Sequence, residues 1–308
     1  KGKGQVLSIE ERAEEHIDSK CSHFGICGGC QFQNMTLVRQ REEKWKMVQS
    51  LMGDLTEVVV HPIVGPEEGF GYRNKMEFSF SNRRFYSEEE QKTRKEMDIE
   101  LPKNGSHETV LGMHPRGWYS KVVPIEHCDL ISTDMNEILQ VVQSHGLHPA
   151  WNNRKFEGIF RHVILREGSP EIEQNGHILV SLVTSTAATK EHVNLVSENL
   201  SKLDCVRGVL WVVTDRLNEV ALGDVREVLY GKDEIYIEMS QKSYVIPHDG
   251  FFQVNIKGAG MLVSVLQKDI QKIDHRQQLV DLYCGSGSLG IALGDDFDEV
   301  IGIELHQE

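Results

Sequence analysis

The chain has 308 residues, of which 39% are hydrophobic and 26% are charged, and this ordinary composition excludes a chain that is disordered throughout. Asp and Glu outnumber Lys and Arg by 47 to 33, so the net charge of −14 argues against nucleic-acid binding by bulk electrostatics but allows a local basic patch. No apolar run approaches the roughly 18–20 residues of a membrane helix. Six cysteines are too few for a disulfide framework, which favours a reducing compartment.

The chain begins at Lys1 without a signal-peptide pattern. We therefore expect an intracellular protein that is monomeric and does not bind membranes. It would lie in the cytoplasm, or in an organelle if a missing N-terminal segment carries a transit peptide.

The first half of the sequence divides into a polar start, a cysteine loop and a β-rich region. Residues 1–20 are polar and charged and read as a linker or the end of a longer segment. Residues 21–57 read as a cysteine loop followed by an amphipathic helix within Asn34–Gly53. We assign 58–240 to a central β-rich domain. Its predicted strands are Val58–Val60, Lys75–Phe80, Val110–Met113, Ile159–Arg166, His177–Thr184 and Gly208–Thr214. Its predicted helices are Asp134–Gln143 and Lys190–Leu203, and the charged stretch Arg83–His107 reads as a solvated insertion that is expected to be mobile.

The pattern changes again in residues 241–308. A helix at Met261–Ile273 precedes a predicted strand–loop–helix–strand unit with strands at Gln278–Leu282 and Glu299–Glu304. Such a unit opens a doubly wound parallel sheet, so the fold class is α/β. Because a separate domain of this kind usually needs roughly 100 residues or more, we expect this one to be incomplete.

The loop after the first of these strands has the composition of a cofactor-binding loop. Gly285, Gly287 and Gly290 match the spacing of a dinucleotide-binding loop, and Glu304 ends the next strand, where a carboxylate can accept ribose hydroxyls. Asp281, on the strand before the loop, would repel a pyrophosphate but suits S-adenosylmethionine, which carries cationic groups and no phosphate. The loop therefore indicates an adenosine-containing cofactor and leaves NAD and S-adenosylmethionine both open.

Four cysteines form a second constellation. Cys21, Cys27 and Cys30 share one tight loop, and Cys128 is a distant fourth. Four thiolates can hold a [4Fe–4S] cluster or a structural zinc ion. Cys205 is interpreted as a core residue, and Cys284 as packed rather than nucleophilic.

Together these features resemble the RNA uracil-C5 methyltransferase family, which makes 5-methyluridine in rRNA or tRNA. The matching segments are Cys21–Gln33, Tyr72–Glu77, Ile125–Asp129, Gly158–Arg166, Gly250–Asn255, Asp281–Gly287 and Ile303–Glu304. The resemblance implies S-adenosylmethionine rather than NAD, and a [4Fe–4S] cluster rather than zinc on the four cysteines. It also implies that Gln253, Tyr283, Ser288 and Glu304 bind the cofactor, although Ser288 stands where the family usually has Asn.

The resemblance implies that residues 1–20 are the remnant of an N-terminal RNA-binding barrel. It further implies contacts with RNA and a covalent reaction. Residues in the family's RNA-facing segments are Arg73, Lys75, Arg161, His162 and Arg166, which as a set would supply a basic patch. In the family a thiolate adds to uracil C6 and thereby activates C5 toward the methyl group. The family's catalytic cysteine lies further along than residue 308, so we expect residues 1–308 to be inactive. Two other readings remain open, a non-catalytic RNA-binding protein with a structural metal site and a small-molecule methyltransferase.

Overall fold

The computed structural model describes residues 9–53, 55, 57–100, 109–172, 175–216 and 223–305. The helices are α1 Leu37–Leu51, α2 Glu88–Glu96, α3 Thr133–Ser144, α4 Lys190–Leu200, α5 Ile256–Ile270 and α6 Ser288–Leu293. The first strands are β1 Lys75–Ser81, β2 Val110–Met113, β3 Val123–Pro124, β4 Phe160–Glu167, β5 Ile178–Thr184 and β6 Val206–Val213. The remaining strands are β7 Asp224–Gly231, β8 Glu234–Met239, β9 Lys242–Pro247, β10 Gln278–Leu282 and β11 Glu299–Ile303.

A seven-stranded sheet forms the centre of the molecule. Its strand order is β3-β2-β1-β4-β5-β6-β7. β5 and β6 are parallel and are connected through α4, whereas every other neighbouring pair in this sheet is antiparallel. The central strands read as continuous apolar runs because both faces of the sheet are covered.

Alternating residues of the central strands supply two separate cores. Val163 and Leu165 of β4 pack in the core that includes α3 and α4, whereas Ile164 between them packs in the core on the other face. Successive side chains of a strand point to opposite faces, so one apolar strand serves both cores. The second core also contains residues of β8, β9, α5 and α6.

The C-terminal region packs on this second core. β8 and β9 form an antiparallel hairpin, and β10 and β11 form a parallel pair with α6 between them in sequence. The α/β class is therefore confirmed, and the predicted strand–loop–helix–strand unit is present. The expected domain boundary after residue 240 falls inside the two-residue turn of the β8–β9 hairpin.

Two sequence expectations need correction. Val58–Val60 is irregular backbone rather than a strand. The stretch Arg83–His107 contains helix α2, whose N-terminus is closed by a reciprocal capping box between Ser87 and Glu90, while residues 101–108 lie outside the described part. Two charged turns of helix thus occupy a segment for which only solvated loop was expected.

Among the described residues, no helix combines the length and the apolar character needed to cross a bilayer.

Candidate functional site

The glycine loop between β10 and α6 makes a sharp turn that depends on left-handed backbone conformations. Gly285 and Gly287 have φ values of 52° and 69°, which glycine adopts without steric cost. Tyr283 also has a positive φ of 60°, and its side chain is 88% exposed. A non-glycine residue held at positive φ is a strained feature that is often found at binding sites. The loop therefore presents an aromatic ring and bare backbone to an incoming ligand.

Two carboxylates fix this loop from either side. Glu304, directly after β11, accepts hydrogen bonds from the Gly285 and Leu305 backbone N–H groups at 2.9 and 2.8 Å. Asp281 of β10 accepts one from the Gly290 N–H group in the first turn of α6, also at 2.9 Å. The strands β10 and β11 thus place one carboxylate at the rim of the loop and one behind it.

The segment Gly250–Asn255 lies against the same loop. A side chain at Gly285 would place its Cβ 3.8 Å from the ring of Phe251, which is 65% exposed. The buried ring of Phe252 packs on Tyr244, and the Tyr244 hydroxyl donates to the Ser288 carbonyl oxygen over 3.2 Å. The structure therefore brings together two motifs that are about 30 residues apart in the sequence.

The expected cofactor-binding residues differ in how accessible they are. Gln253 is half-buried and Tyr283 and Glu304 are exposed, but Ser288 is buried beside Tyr244. Phe251 was not among the sequence-predicted site residues. Its signal was available, because it is a large apolar residue directly before Phe252 in a segment that the family resemblance already singled out.

The four cysteines at the other predicted site are also brought together. The thiols of Cys21, Cys27, Cys30 and Cys128 line one small, mostly apolar cavity of about 40 Å³, and all four are free thiols. Gln33 donates its side-chain amide to Cys30 Sγ at 3.2 Å, and the Gly29 N–H group donates to Cys27 Sγ at 3.4 Å. Cys128, which is distant in the sequence, thus lies at the same cavity as the three cysteines of the loop.

The surroundings of this cavity favour the neutral, protonated form of the thiols. Burial raises the pKa of Cys128 to about 11, and the neighbouring thiols oppose its ionisation further. Burial likewise raises the pKa of Cys21 and of Cys27. Thiolate ligands must be deprotonated, so only a bound cation would make four thiolates stable here.

A single zinc ion and a [4Fe–4S] cluster place different demands on four thiolates. Among the described residues, no group of three or more His, Cys, Asp or Glu side chains is arranged to hold one metal ion. A zinc ion needs each sulfur about 2.3 Å from a common point. A [4Fe–4S] cluster bonds each cysteine to a different iron and therefore accepts more widely spaced sulfurs. Four thiols at one cavity are the donors that either kind of site uses.

The five residues expected to contact RNA do not form an exposed patch, which corrects that expectation. Arg161, His162 and Arg166 of β4 are all buried, with accessibilities of 1%, 3% and 3%. Arg161 stacks on Trp151 with 4.3 Å from guanidinium to ring, and burial lowers the pKa of His162 to about 3, so that its imidazole is neutral. These three side chains are buried because both faces of the sheet are covered.

The other contacts of these basic residues are structural. Arg166 donates to the Gly250 carbonyl oxygen at 2.7 Å and so ties β4 to the segment beside the glycine loop. Arg73 donates to the Lys75 carbonyl oxygen at 2.9 Å, and the Lys75 ammonium pairs with Glu77 at 2.7 Å. Arg73 and Lys75 are half-buried.

Comparison with known proteins finds similarity to curated RNA methyltransferases. It is 29% identical to an uncharacterised RNA methyltransferase of Caldanaerobacter subterraneus, over 100% of this chain and 64% of the relative. It is 30% identical to an uncharacterised RNA methyltransferase of Clostridium tetani, over 99% of this chain and 63% of the relative. No protein-family model matches the chain. The chain thus spans less than two thirds of the length of these curated relatives.

A solved structure shares the fold. The tRNA (uracil-54, C5)-methyltransferase of Pyrococcus abyssi, solved in complex with S-adenosyl-L-homocysteine, superposes with a TM-score of 0.65 at 22% identity. The match covers 93% of this chain and 58% of the Pyrococcus chain. The resemblance to RNA methyltransferases that the sequence motifs indicate is confirmed.

Proposed function

Because the chain is homologous to curated RNA methyltransferases over its whole length, we propose that it binds S-adenosylmethionine and serves in methylating C5 of a uridine in rRNA or tRNA. The carrying observation is the cradle formed by the glycine loop, Glu304 and Phe251. It joins a backbone without side chains at Gly285 and Gly287, a carboxylate and an aromatic ring, the groups that hold an adenosine-containing cofactor.

The contact of Asp281 favours S-adenosylmethionine over a dinucleotide. In dinucleotide-binding proteins the free N–H groups at the helix N-terminus bind the pyrophosphate. Here the Asp281 carboxylate already accepts the Gly290 N–H group in that turn. An anion beside the loop repels a phosphate and attracts the ammonium and sulfonium groups of S-adenosylmethionine.

In this proposal each residue of the cradle holds one part of the cofactor. Glu304 accepts the ribose hydroxyls, Gln253 hydrogen-bonds through its amide, and Tyr283 packs its exposed ring on the ligand. The backbone of Gly285 and Gly287 allows close approach. Bound there, S-adenosylmethionine supplies an electrophilic methyl group.

Uracil C5 is a weak nucleophile and needs a thiolate at C6. The Cys284 sulfur is a poor candidate, since it packs against β11: a Cβ at Gly302 would lie 3.0 Å from it. Cys205 is half-buried, and burial raises its pKa to about 12. We therefore propose that the thiolate comes from outside residues 1–308, as the greater length of the relatives allows.

The four-cysteine cavity is proposed to hold a [4Fe–4S] cluster through Cys21, Cys27, Cys30 and Cys128. The grouping of four free thiols in one cavity supports a metal site, and the family resemblance favours the cluster over zinc. The methylation needs no electron transfer, so the cluster would have a structural role.

Calorimetric titration of residues 1–308 with S-adenosylmethionine, S-adenosylhomocysteine and NAD tests the cofactor assignment. We expect S-adenosylmethionine and S-adenosylhomocysteine to bind and NAD not to bind. Binding of NAD alone would overturn the assignment. The acceptor atom is tested with RNA that is tritiated at uridine C5. This assay uses a form of the protein extended to the length of the relatives. Methylation at C5 releases the tritium to water, whereas methylation at another atom retains it.

A further inference from the structure

An exposed aromatic surface lies at the edge of the sheet, away from the glycine loop in sequence. The loop between β2 and β3 carries Trp118 and Tyr119, which are 56% and 76% exposed. The turn before β4 adds Phe156, which is 49% exposed and has a positive φ of 56°. Large exposed aromatic side chains that are grouped in this way mark interaction sites. We call this region, residues 114–122 with 83–84 and 153–156, the Trp118 surface.

Backbone contacts join these three segments into one surface. The Asn153 side chain donates to the Tyr119 carbonyl oxygen at 2.8 Å. The Val122 N–H group donates to the Arg83 carbonyl oxygen at 3.0 Å, and the Phe85 N–H group donates back to Val122 at 2.7 Å. The aromatic side chains are therefore held on a common framework.

The same surface is locally basic on an acidic protein. Among the described residues, four cations on it have no ion pair: Arg83, Arg116, Lys121 and Arg154. Two carboxylates in or beside the same segments have other partners, since Glu90 pairs with Arg84 and Glu157 with Lys155. The Lys121 ammonium lies 5.7 Å from the Trp118 ring. A cluster of unpaired cations on a chain of net charge −14 indicates a polyanionic partner.

The cysteine loop supports this surface from behind. The Gly28 N–H group donates to the His114 carbonyl oxygen at 3.0 Å, and the Arg116 N–H group donates to the Ile26 carbonyl oxygen at 3.3 Å. Any side chain at Gly28 would place its Cβ 2.8 Å from the same His114 oxygen. The two loops can thus approach closely only because residue 28 is glycine, and the order of the cysteine loop sets the position of Trp118.

We propose that the Trp118 surface binds a single-stranded segment of RNA, with Trp118 and Tyr119 stacking on bases and Arg116, Lys121 and Arg154 contacting phosphates. Aromatic rings interleaved with cations are the usual composition of single-strand sites, because every base offers a face for stacking. The inference rests on the proposed function in taking RNA as the substrate. It assigns the RNA contacts to an exposed surface instead of to the buried residues of β4.

The test measures binding of residues 1–308 to a fluorescent single-stranded RNA of roughly 12 nucleotides, a length within the usual span of stacking-type sites. We expect Trp118→Ala to weaken binding about fivefold or more without changing its salt dependence, and Trp118→Phe to restore most of the loss. Arg154→Ala should instead lower the slope of log affinity against log salt by about 0.7, as one lost phosphate contact does. The matched controls are Tyr230→Ala and Lys232→Ala, exposed residues at the opposite edge of the sheet.

The outcomes separate this inference from the proposed function. If wild-type protein binds RNA and the Trp118 and Arg154 variants bind as tightly as the controls, the Trp118 surface is not the site, while the proposed function stands. If folded protein that binds S-adenosylmethionine does not bind single-stranded RNA at all, the Trp118 surface is not an RNA site, whereas the proposed function is decided by the tritium-release test on the longer form. Because the altered side chains are exposed, a thermal melt of each variant shows whether its fold is intact.

Discussion

At the scale of single residues, Glu304 shows what a motif predicts and what it misses. The sequence places a carboxylate at the end of a strand, which predicts a ribose contact. The structure adds that its two oxygens also accept the Gly285 and Leu305 N–H groups. The same side chain is therefore expected to hold the glycine loop in shape before a ligand arrives, a role that depends on the parallel pairing of β10 and β11.

We expect Glu304→Ala to weaken S-adenosylmethionine binding about ten- to a hundredfold, and Gln253→Ala about fivefold. A hydrogen bond to a charged group contributes roughly 1.5–3 kcal/mol and one between neutral groups about 1 kcal/mol. Calorimetry on residues 1–308 measures both losses. Glu299→Ala, an exposed carboxylate at the other end of β11, is the control. Equal affinity of both variants and the wild type would remove these residues from the site.

A second prediction concerns His177, whose Nε2 lies 3.3 Å from Asp134 Oδ2 and 3.5 Å from Glu167 Oε1. The hydrogen bond with Glu167, followed by the charges of the nearby carboxylates, raises the pKa of His177 above its usual 6.5. Because the folded protein holds the proton more tightly, the stabilisation is complete below about pH 6.5 and is lost as the pH rises through the folded value.

The measurement is the urea unfolding free energy of the wild type and of His177→Gln as a function of pH. The wild type should lose stability relative to the variant as the pH rises above about 6.5. His275→Gln, at an exposed histidine, serves as the control. A difference between wild type and His177→Gln that stays constant with pH would show that His177 does not titrate with folding.

At the scale of elements, the sequence predicts the buried strands well and the edge and hairpin strands poorly. β5 and β6 are recognisable because burial on both faces makes them mostly apolar runs. β4 is recognisable from the apolar run Val163–Leu165 at its centre. β7 was missed because it is an edge strand without a fully buried residue, so its sequence mixes charged and apolar residues on both faces. The β8–β9 hairpin was missed because its turn residues, Ser240 and Gln241, lack the usual Asn-Gly signal.

The turn of this hairpin can be improved. Ser240 and Gln241 have φ values of 52° and 62°, a conformation that costs a non-glycine residue roughly 1–2 kcal/mol. We expect Gln241→Gly to raise the free energy of unfolding by about 1 kcal/mol, measured by urea denaturation. Gln241→Val should lower it, since a β-branched residue fits this conformation worse. If glycine destabilises the protein, the strain is not located in this turn.

The cysteine loop carries the second prediction at this scale. Protein purified without oxygen should be brown and contain about four irons, and Cys27→Ser should lose both colour and iron. Cys205→Ser, outside the four-cysteine cavity, should keep them. Because the cysteine loop supports the Trp118 surface, Cys27→Ser should also weaken RNA binding. Colourless protein that contains stoichiometric zinc would show that the four cysteines bind a metal but that the metal is not a [4Fe–4S] cluster.

At the scale of the whole molecule, the RNA-facing residues show the limit of reading a sequence segment by segment. Arg161, His162 and Arg166 lie in a motif that resembles the family's RNA-facing segments, yet pairing of β4 with β1 and β5 buries all three. The Trp118 surface is the converse case. Its residues come from three separate segments that no local pattern connects, and only the folded sheet brings them together.

The distribution of thiols over the molecule leads to the last prediction, that residues 1–308 transfer no methyl group from labelled S-adenosylmethionine to RNA. The reaction needs a thiolate at C6 while C5 lies in line with the methyl group. All six cysteines are among the described residues: four share the cavity at the cysteine loop, Cys205 is half-buried, and Cys284 packs against β11. Cofactor binding without turnover is therefore expected, and restoring the length of the relatives should give activity. Turnover by residues 1–308 that is abolished by Cys284→Ser would contradict this prediction and make Cys284 the nucleophile. Its sulfur would then have to move away from β11 to reach the base.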